Sequence, residues 1–165
     1  MSDLGAAALH GILSHVVPHL PKIILRCIYR RPEKLALQVA FSLPTGSVQA
    51  DCSRCELKIQ LPMTSYLPVD VDLTHLELDV KLGSARLINL AYSRNIHVKH
   101  GLQTTKIELP FYSLNRFQVE ALKTLPGDVY LFGFADFRTS FDRHFTVPIN
   151  ELTCHLKPTG IIPGV

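Results

Sequence analysis

The sequence has little of what a secreted scaffold, a common hydrolase or a membrane span is built from. Its four cysteines, Cys27, Cys52, Cys55 and Cys154, are few and irregularly spaced, which does not suit a disulfide framework. Reduced thiols inside a cell are therefore expected, in a protein that is cytoplasmic or peripheral on a membrane. No cleavable signal peptide is expected either, because the first basic residues follow the N-terminal apolar stretch instead of preceding it. There is no G-x-S-x-G and no G-x-x-x-x-G-K, so a strained serine elbow and a phosphate-cradling loop are both excluded. Residues 4 to 21 carry no formal charge, yet three histidines, two prolines and two glycines make them a poor match to the ~20 continuous apolar residues of a spanning helix. The net charge of +3 is too small to point to nucleic acid.

That small charge is unevenly placed. Lys22, Arg26, Arg30, Arg31 and Lys34 face only Asp3 and Glu33 within residues 1–34, whereas residues 35–165 hold 12 basic and 12 acidic side chains. The division coincides with a change of periodicity, and the chain reads as a helical appendage, 1–34, before a β domain, 35–165. A chain of 165 residues with a 47% hydrophobic share can bury roughly two thirds of its unfolded surface without covalent cross-links.

In the appendage, Leu9, Ile12, Leu13, Val16, Val17 and Leu20 fall at helical spacing, with Ser2 or Asp3 as the cap and Pro18 as the stop. Pro21 can open a second short helix, in which Lys22, Arg26 and Arg30 recur every four positions beside Ile23, Ile24, Cys27 and Ile28. One reading makes this a membrane-surface segment. Lys22, Arg26, Arg30 and Arg31 would then supply the attraction, about 1 kcal/mol per cation near anionic lipid, and Ile23, Ile24 and Ile28 the insertion. The other makes it a helix packed on the β domain with solvated cations, in which Ile24 is buried.

Beyond the appendage the period becomes two. The longest pattern, Tyr66 to Leu82, alternates through Val69, Val71 and Leu73 and again through Leu76, Leu78 and Val80, and the two halves are out of phase at Thr74-His75. A one-residue β-bulge there restores the inward face, leaving Asp70, Asp72, Glu77 and Asp79 on the wet side. Val39, Leu57, Ile59, Ile107, Leu109, Leu131, Phe145 and Val147 are the inward members of other strands, with Pro44-Thr45-Gly46, Pro62 to Ser65 and His100-Gly101 read as turns. A helix from Ser113 or Asn115 would bury Leu114, Phe117, Ala121, Leu122 and Leu125, with Asn115 and Gln118 as a capping box, before a final hairpin turning near Asp142-Arg143. About seven strands precede that helix, at a spacing that suggests an antiparallel sandwich with the helix closing one end.

This order of elements resembles the group two late embryogenesis abundant domain, related to the water stress and hypersensitive response domain. The resemblance covers Cys55 to Asn150 and rests on ELKIQLPM, YLPVDVDLTHLELDVKLG, GLQTTKIELPF, SLNRFQVEALKTL and LFGFADFRTSFDRHFTVPI. Leu61 stands where the family has an asparagine, with Pro62 retained. The resemblance implies a mostly β, immunoglobulin-like antiparallel sandwich without a catalytic centre, in a family that includes stress-protective proteins and membrane-tethered proteins proposed to contact lipids.

Cys52-x-x-Cys55 is the sharpest motif, since both sulfurs could reach one tetrahedral zinc. The remaining ligands would have to come from Cys27, Cys154 or His155, so no stoichiometric zinc is expected. A redox pair is disfavoured because ELKIQL after Cys55 alternates as a strand and does not open a helix. His15 and His19 are four apart but lack the glutamate of a metalloprotease helix. The expectation is thus a non-enzymatic protein with no cofactor and no nucleic-acid partner. It would contact a membrane surface or an apolar ligand, or alternatively serve as a structural subunit docked into a protein assembly.

Overall fold

The computed structural model describes residues 16–31, 33–124 and 127–160. Leu9, Ile12 and Leu13 with their cap, His10 and His15, and the end of the internal helix at Leu125-Pro126 lie outside the described residues.

Two antiparallel sheets face each other across one core, the β-sandwich expected from the alternation. The first sheet is organised around β3, Glu56–Leu67. On one side of it lie β1, Val39–Phe41, and β2, Val48–Asp51; on the other lie β7, Gly101–Glu108, and β8, Tyr112–Ser113. The second sheet runs in the order β10, His144–Leu156; β9, Gly127–Thr139; β4, Val71–Leu82; β5, Ala85–Tyr92, with β6, Ile96–Val98, continuing the β5 edge. Alternate residues point inward by the strand's period of two, so Leu57, Ile59, Leu61, Met63 and Leu67 of β3 meet Leu73, Leu76, Leu78, Leu131 and Phe137, every one buried. Asp70, Asp72, Glu77 and Asp79 remain half-exposed on the outer face.

The phase slip is a bulge. Leu73 pairs with Phe137 and His75 with Asp136, which leaves Thr74 without a partner in the ladder. Its hydroxyl donates to the Asp136 carbonyl at 3.1 Å, so the added residue is hydrogen-bonded in place.

Two expectations need correction. Pro62 to Ser65 do not turn the chain, because β3 runs straight through them and the turn into β4 lies at Pro68 to Asp70. Pro62 is accommodated because β3 changes neighbours there: Gln60 N–H reaches Ser47 beside β2, and the Pro62 carbonyl accepts from Ser42 just past β1. The missing N–H faces the gap between those two short strands and costs no ladder bond. The second correction is Phe117, which is 86% exposed. Among the described residues three short α-helices accompany the sheets: α1, Lys22–Ile28, α2, Glu33–Ala36, and α3, Arg116–Thr124. On α3 the capping box forms, Asn115 Oδ1 accepting from Gln118 N–H at 2.9 Å and Gln118 Oε1 from Asn115 N–H at 2.7 Å. The Gln118 amide also donates to the Leu87 carbonyl, which rotates Val119 and Leu122 inward and turns Phe117 away.

Helix α3 caps the end of the sandwich that holds the β2–β3 turn. The opposite end holds α1, α2, the β3–β4 and β6–β7 turns and the β9–β10 hairpin, and it is there that the appendage meets the sheets.

Candidate functional site

Pro21 is the N-cap of α1, one position before the first helical residue it was expected to be: with ψ of 141° it lies outside the helix, and its carbonyl accepts from Ile24 N–H at 2.9 Å and Leu25 N–H at 3.1 Å. With about 100° per residue, Leu25, Arg26 and Tyr29 share one side of the helix, and Ile23, Ile24, Cys27 and Ile28 the other. The sandwich takes the first set. Leu25 is 3% exposed, and the Tyr29 ring stacks on buried Phe141 with centroids 6.0 Å apart. Arg26 Nε donates to the Phe141 carbonyl at 2.9 Å, and its guanidinium lies 3.4 Å from the Asp142 carboxylate. This cation is thereby committed to the β9–β10 hairpin, whose Asp142 adopts a left-handed φ of 60°.

The second set faces away from the sheets. Ile23, Ile24 and Ile28 are 75%, 42% and 53% exposed, and Lys22 at the start of the helix and Arg30 and Arg31 just past its end are exposed as well. The buried anchor is therefore Leu25, and Ile24 does not fill that role. Lys34 is exposed on α2, which is held by fully buried Leu35. Leu37, Tyr66 and Leu102 add exposed apolar side chains at the same end; Tyr66 and Leu102 are cross-strand partners, and Gln38 accepts from Tyr66 N–H. Sequence periodicity located this segment and left two readings of its faces open, because leucine and isoleucine are equivalent to a hydrophobicity pattern; Ile24 is not the packed residue of the second reading, and Leu25, named in neither, is the buried one.

Beside this end lies a polar cluster on the outer face of the second sheet. The Asp70 carboxylate accepts from His100 N–H at 2.7 Å and meets His100 Nδ1 at 2.6 Å, while His97 Nδ1 lies 3.0 Å from Asp72 and Arg138 3.8 Å from the same carboxylate. Burial raises the Asp70 carboxyl pKa, but the His100 side-chain and backbone bonds and the nearby His97 outweigh it and hold the pKa below the ordinary value. These carboxylates tie turns and strands together.

The Cys52-x-x-Cys55 segment is the β2–β3 turn, and its organiser is a residue the sequence reading passed over. Asp51 Oδ1 accepts from Ser53 N–H at 2.9 Å, Ser53 Oγ at 2.6 Å and Arg54 N–H at 3.2 Å, an Asx turn that Asp-x-Ser at a strand end could have signalled. Cys55 takes a left-handed φ of 55° to complete it. Cys52 and Cys154 are buried, and burial raises both thiol pKa values, which keeps them protonated and poor as nucleophiles or metal ligands. Among the described residues no three His, Cys, Asp or Glu side chains converge on a point where a metal could sit. His19 is exposed on the short 3₁₀ turn Val17–His19.

Surface clefts occur at the sheet edges. One of about 280 Å³ lies between β2 and residues 155–159, and another of about 280 Å³ lies between Tyr92 and Arg94 on one side and 108–111 on the other. No helix among the described residues is long and apolar enough to cross a membrane.

No protein-family model matches the sequence, and no curated protein is similar to it. In fold it is similar to Northeast Structural Genomics Consortium target SoR45, with 9% identity and a TM-score of 0.51 over 79% of this chain and 92% of that one. A protein from Archaeoglobus fulgidus aligns over 72% of this chain and 94% of its own, with 12% identity and a TM-score of 0.41, too low to carry an argument. At 9% identity the likeness to the first shows a shared fold and nothing about activity.

Proposed function

We propose that this is a non-catalytic β-sandwich protein that associates peripherally with an anionic membrane surface through α1, in keeping with the lipid-contacting and stress-protective proteins of the late embryogenesis abundant group it resembles. The observation that carries the reading is the orientation of α1. Arg26 and Tyr29 clamp it to the hairpin and Leu25 is buried, so Ile23, Ile24 and Ile28 are held outward in a segment that also exposes Lys22, Arg30 and Arg31 at its two ends. Exposed apolar side chains with cations in the same segment suit the boundary between headgroups and acyl chains. The core between the sheets is filled by side chains, so this reading puts the apolar contact on the surface.

Co-sedimentation with anionic vesicles at low salt tests it. The wild-type chain pellets, and the triple variant Lys22→Gln, Arg30→Gln, Arg31→Gln pellets at least tenfold less well, three cations at about 1 kcal/mol each being at stake. Arg26 is left out of the set because it holds the hairpin. If the wild-type chain stays in the supernatant, the membrane reading fails. The apolar end, with Leu37, Tyr66 and Leu102 alongside, then favours the second reading, a subunit docked against another protein.

A further inference from the structure

A strand with one neighbour presents unpaired N–H and C=O groups on its other side, and folded proteins ordinarily blunt such edges with short strands, bulges, prolines or covering elements. Most edges of this sandwich are treated in that way. β1 and β2 are three and four residues long, and β2 is flanked on its outer side by Thr159, whose N–H and C=O bond to Ala50 and Cys52. β10 carries Pro148 and a register break between Ile149 and Leu152, and it packs against α2 and β2. β5 is bulged where its register with β4 shifts at Val80/Lys81, and residues 93–95 interrupt it before β6.

β7 is the exception. All eight of its residues pair with β3 in unbroken register, from Gly101↔Leu67 to Glu108↔Gln60, without a proline or bulge, and no strand lies on its outer side among the described residues. Just past its end, Leu109 N–H bonds to Ile59 O on the inner side. Alternation then puts the N–H and C=O of Leu102, Thr104, Lys106 and Glu108 on the outer side, a row of four equally spaced donor and acceptor pairs.

What would lie there is indicated by charge and shape. Lys99 and Lys106 are exposed beside the edge and Arg94 across from it, none in an ion pair among the described residues, while the Glu108 carboxylate is engaged by the Gln60 amide at 3.2 Å. At its end the row opens into the cleft of about 280 Å³ lined by Lys58, Tyr92, Arg94, Leu109, Pro110 and Phe111 together with Glu108 itself. Phe111 is 65% exposed, with Lys58 Nζ 5.6 Å from its ring centroid.

We infer that β7 is a strand-addition site for an extended acidic segment of a partner protein, which pairs with residues 102–108 and seats an apolar side chain against Phe111 and Tyr92. Main-chain bonds supply the attachment in this mode, and charge and the terminal pocket supply the selectivity. The inference is independent of α1 and of the membrane reading.

Panning a phage-displayed library of random ten-residue peptides against the full chain tests it. The expected result is an enriched set of acidic sequences with alternating β-branched residues and one aromatic or large aliphatic terminus. A synthetic member of that set slows amide hydrogen exchange at 104 and 106, and binds Thr104→Pro at least tenfold more weakly. Proline at an outward-facing edge position removes no backbone bond to β3, only the exposed hydroxyl contact of Thr104 with Thr64 at 3.4 Å, and an unchanged circular dichroism spectrum confirms that the variant folds. Should it not fold, Arg94→Glu with Lys106→Glu serves instead, with the same tenfold loss expected. No enrichment, enrichment of non-acidic peptides, or binding that the variants leave unchanged overturns the inference. So does protection of the outward amides in the free monomer, which would mean that the chain covers its own edge, or a dimer abolished by Thr104→Pro, which would make a second copy the occupant.

Discussion

Gly133 sits where β9 comes closest to β4, opposite Leu78 on one side and Ile149 on the other, just where the β10 register breaks. A methyl group at this position would run into the backbone carbonyl of Glu77, and its φ of 158° lies at the margin of what side chains adopt. Gly133→Ala should therefore destabilise by about 2 kcal/mol or more, because backbone must move to admit it. A drop in the denaturant midpoint at constant m-value checks this. Asp70 makes a different kind of prediction. Its pKa in the folded chain is depressed below the ordinary value near ~3.9. Between the two values the unfolded chain binds more protons than the folded one. The stabilisation is thus present above pH ~4 and lost as the pH falls through the folded-state value. Thermal midpoints measured from pH 6 to 2 should fall less steeply for Asp70→Asn than for the wild type, and Asp70→Asn should start lower at pH 6.

At the scale of elements, α1 is too short to be stable alone, since isolated helices of fewer than ~12 residues are marginal in water. Its seven residues are helical because the hairpin holds Leu25, Arg26 and Tyr29. Leu25→Ala should cost about 2 to 3 kcal/mol and free the helix from the sandwich. Ile24→Asp, which the packed reading of the sequence would have made a core disruption, should leave the thermal midpoint within 2 °C while removing vesicle binding. Measuring both quantities on both variants separates anchor from contact. The contrast with α3 is instructive. The capping box was legible from Asn115 and Gln118, because such a motif joins residues three apart. The buried face of α3 was legible only in part: Leu114 and Leu122 are buried as expected, but the Gln118 bond to Leu87 joins residues 31 apart, and with it Val119 turns inward and Phe117 outward.

Taken whole, the molecule separates a rigid sandwich from a charged, apolar end. Raising the salt to ~1 M shortens the reach of surface charge to about 3 Å, so vesicle binding should be lost while the thermal midpoint barely moves, exposed charges contributing little to folding. A midpoint that fell together with binding would mean that the cations of α1 hold the fold. The class of fold, most of the core and the bulge at Thr74 were legible in the chain alone, because strand alternation, a phase slip and turn residues are local signals that survive without knowledge of neighbours. The rest depends on contacts between residues far apart in sequence. Pro62 reads as a turn in sequence, but β3 exchanges β2 for β1 beside it, and the role of Asp51 shows only in the three donors gathered on its carboxylate. Ile24 and Leu25 are interchangeable in hydropathy, and it is the hairpin more than 110 residues away, reached through Arg26, that makes one the anchor and leaves the other outside. A one-dimensional pattern records which side chains avoid water; contacts distant in sequence decide which of them succeed.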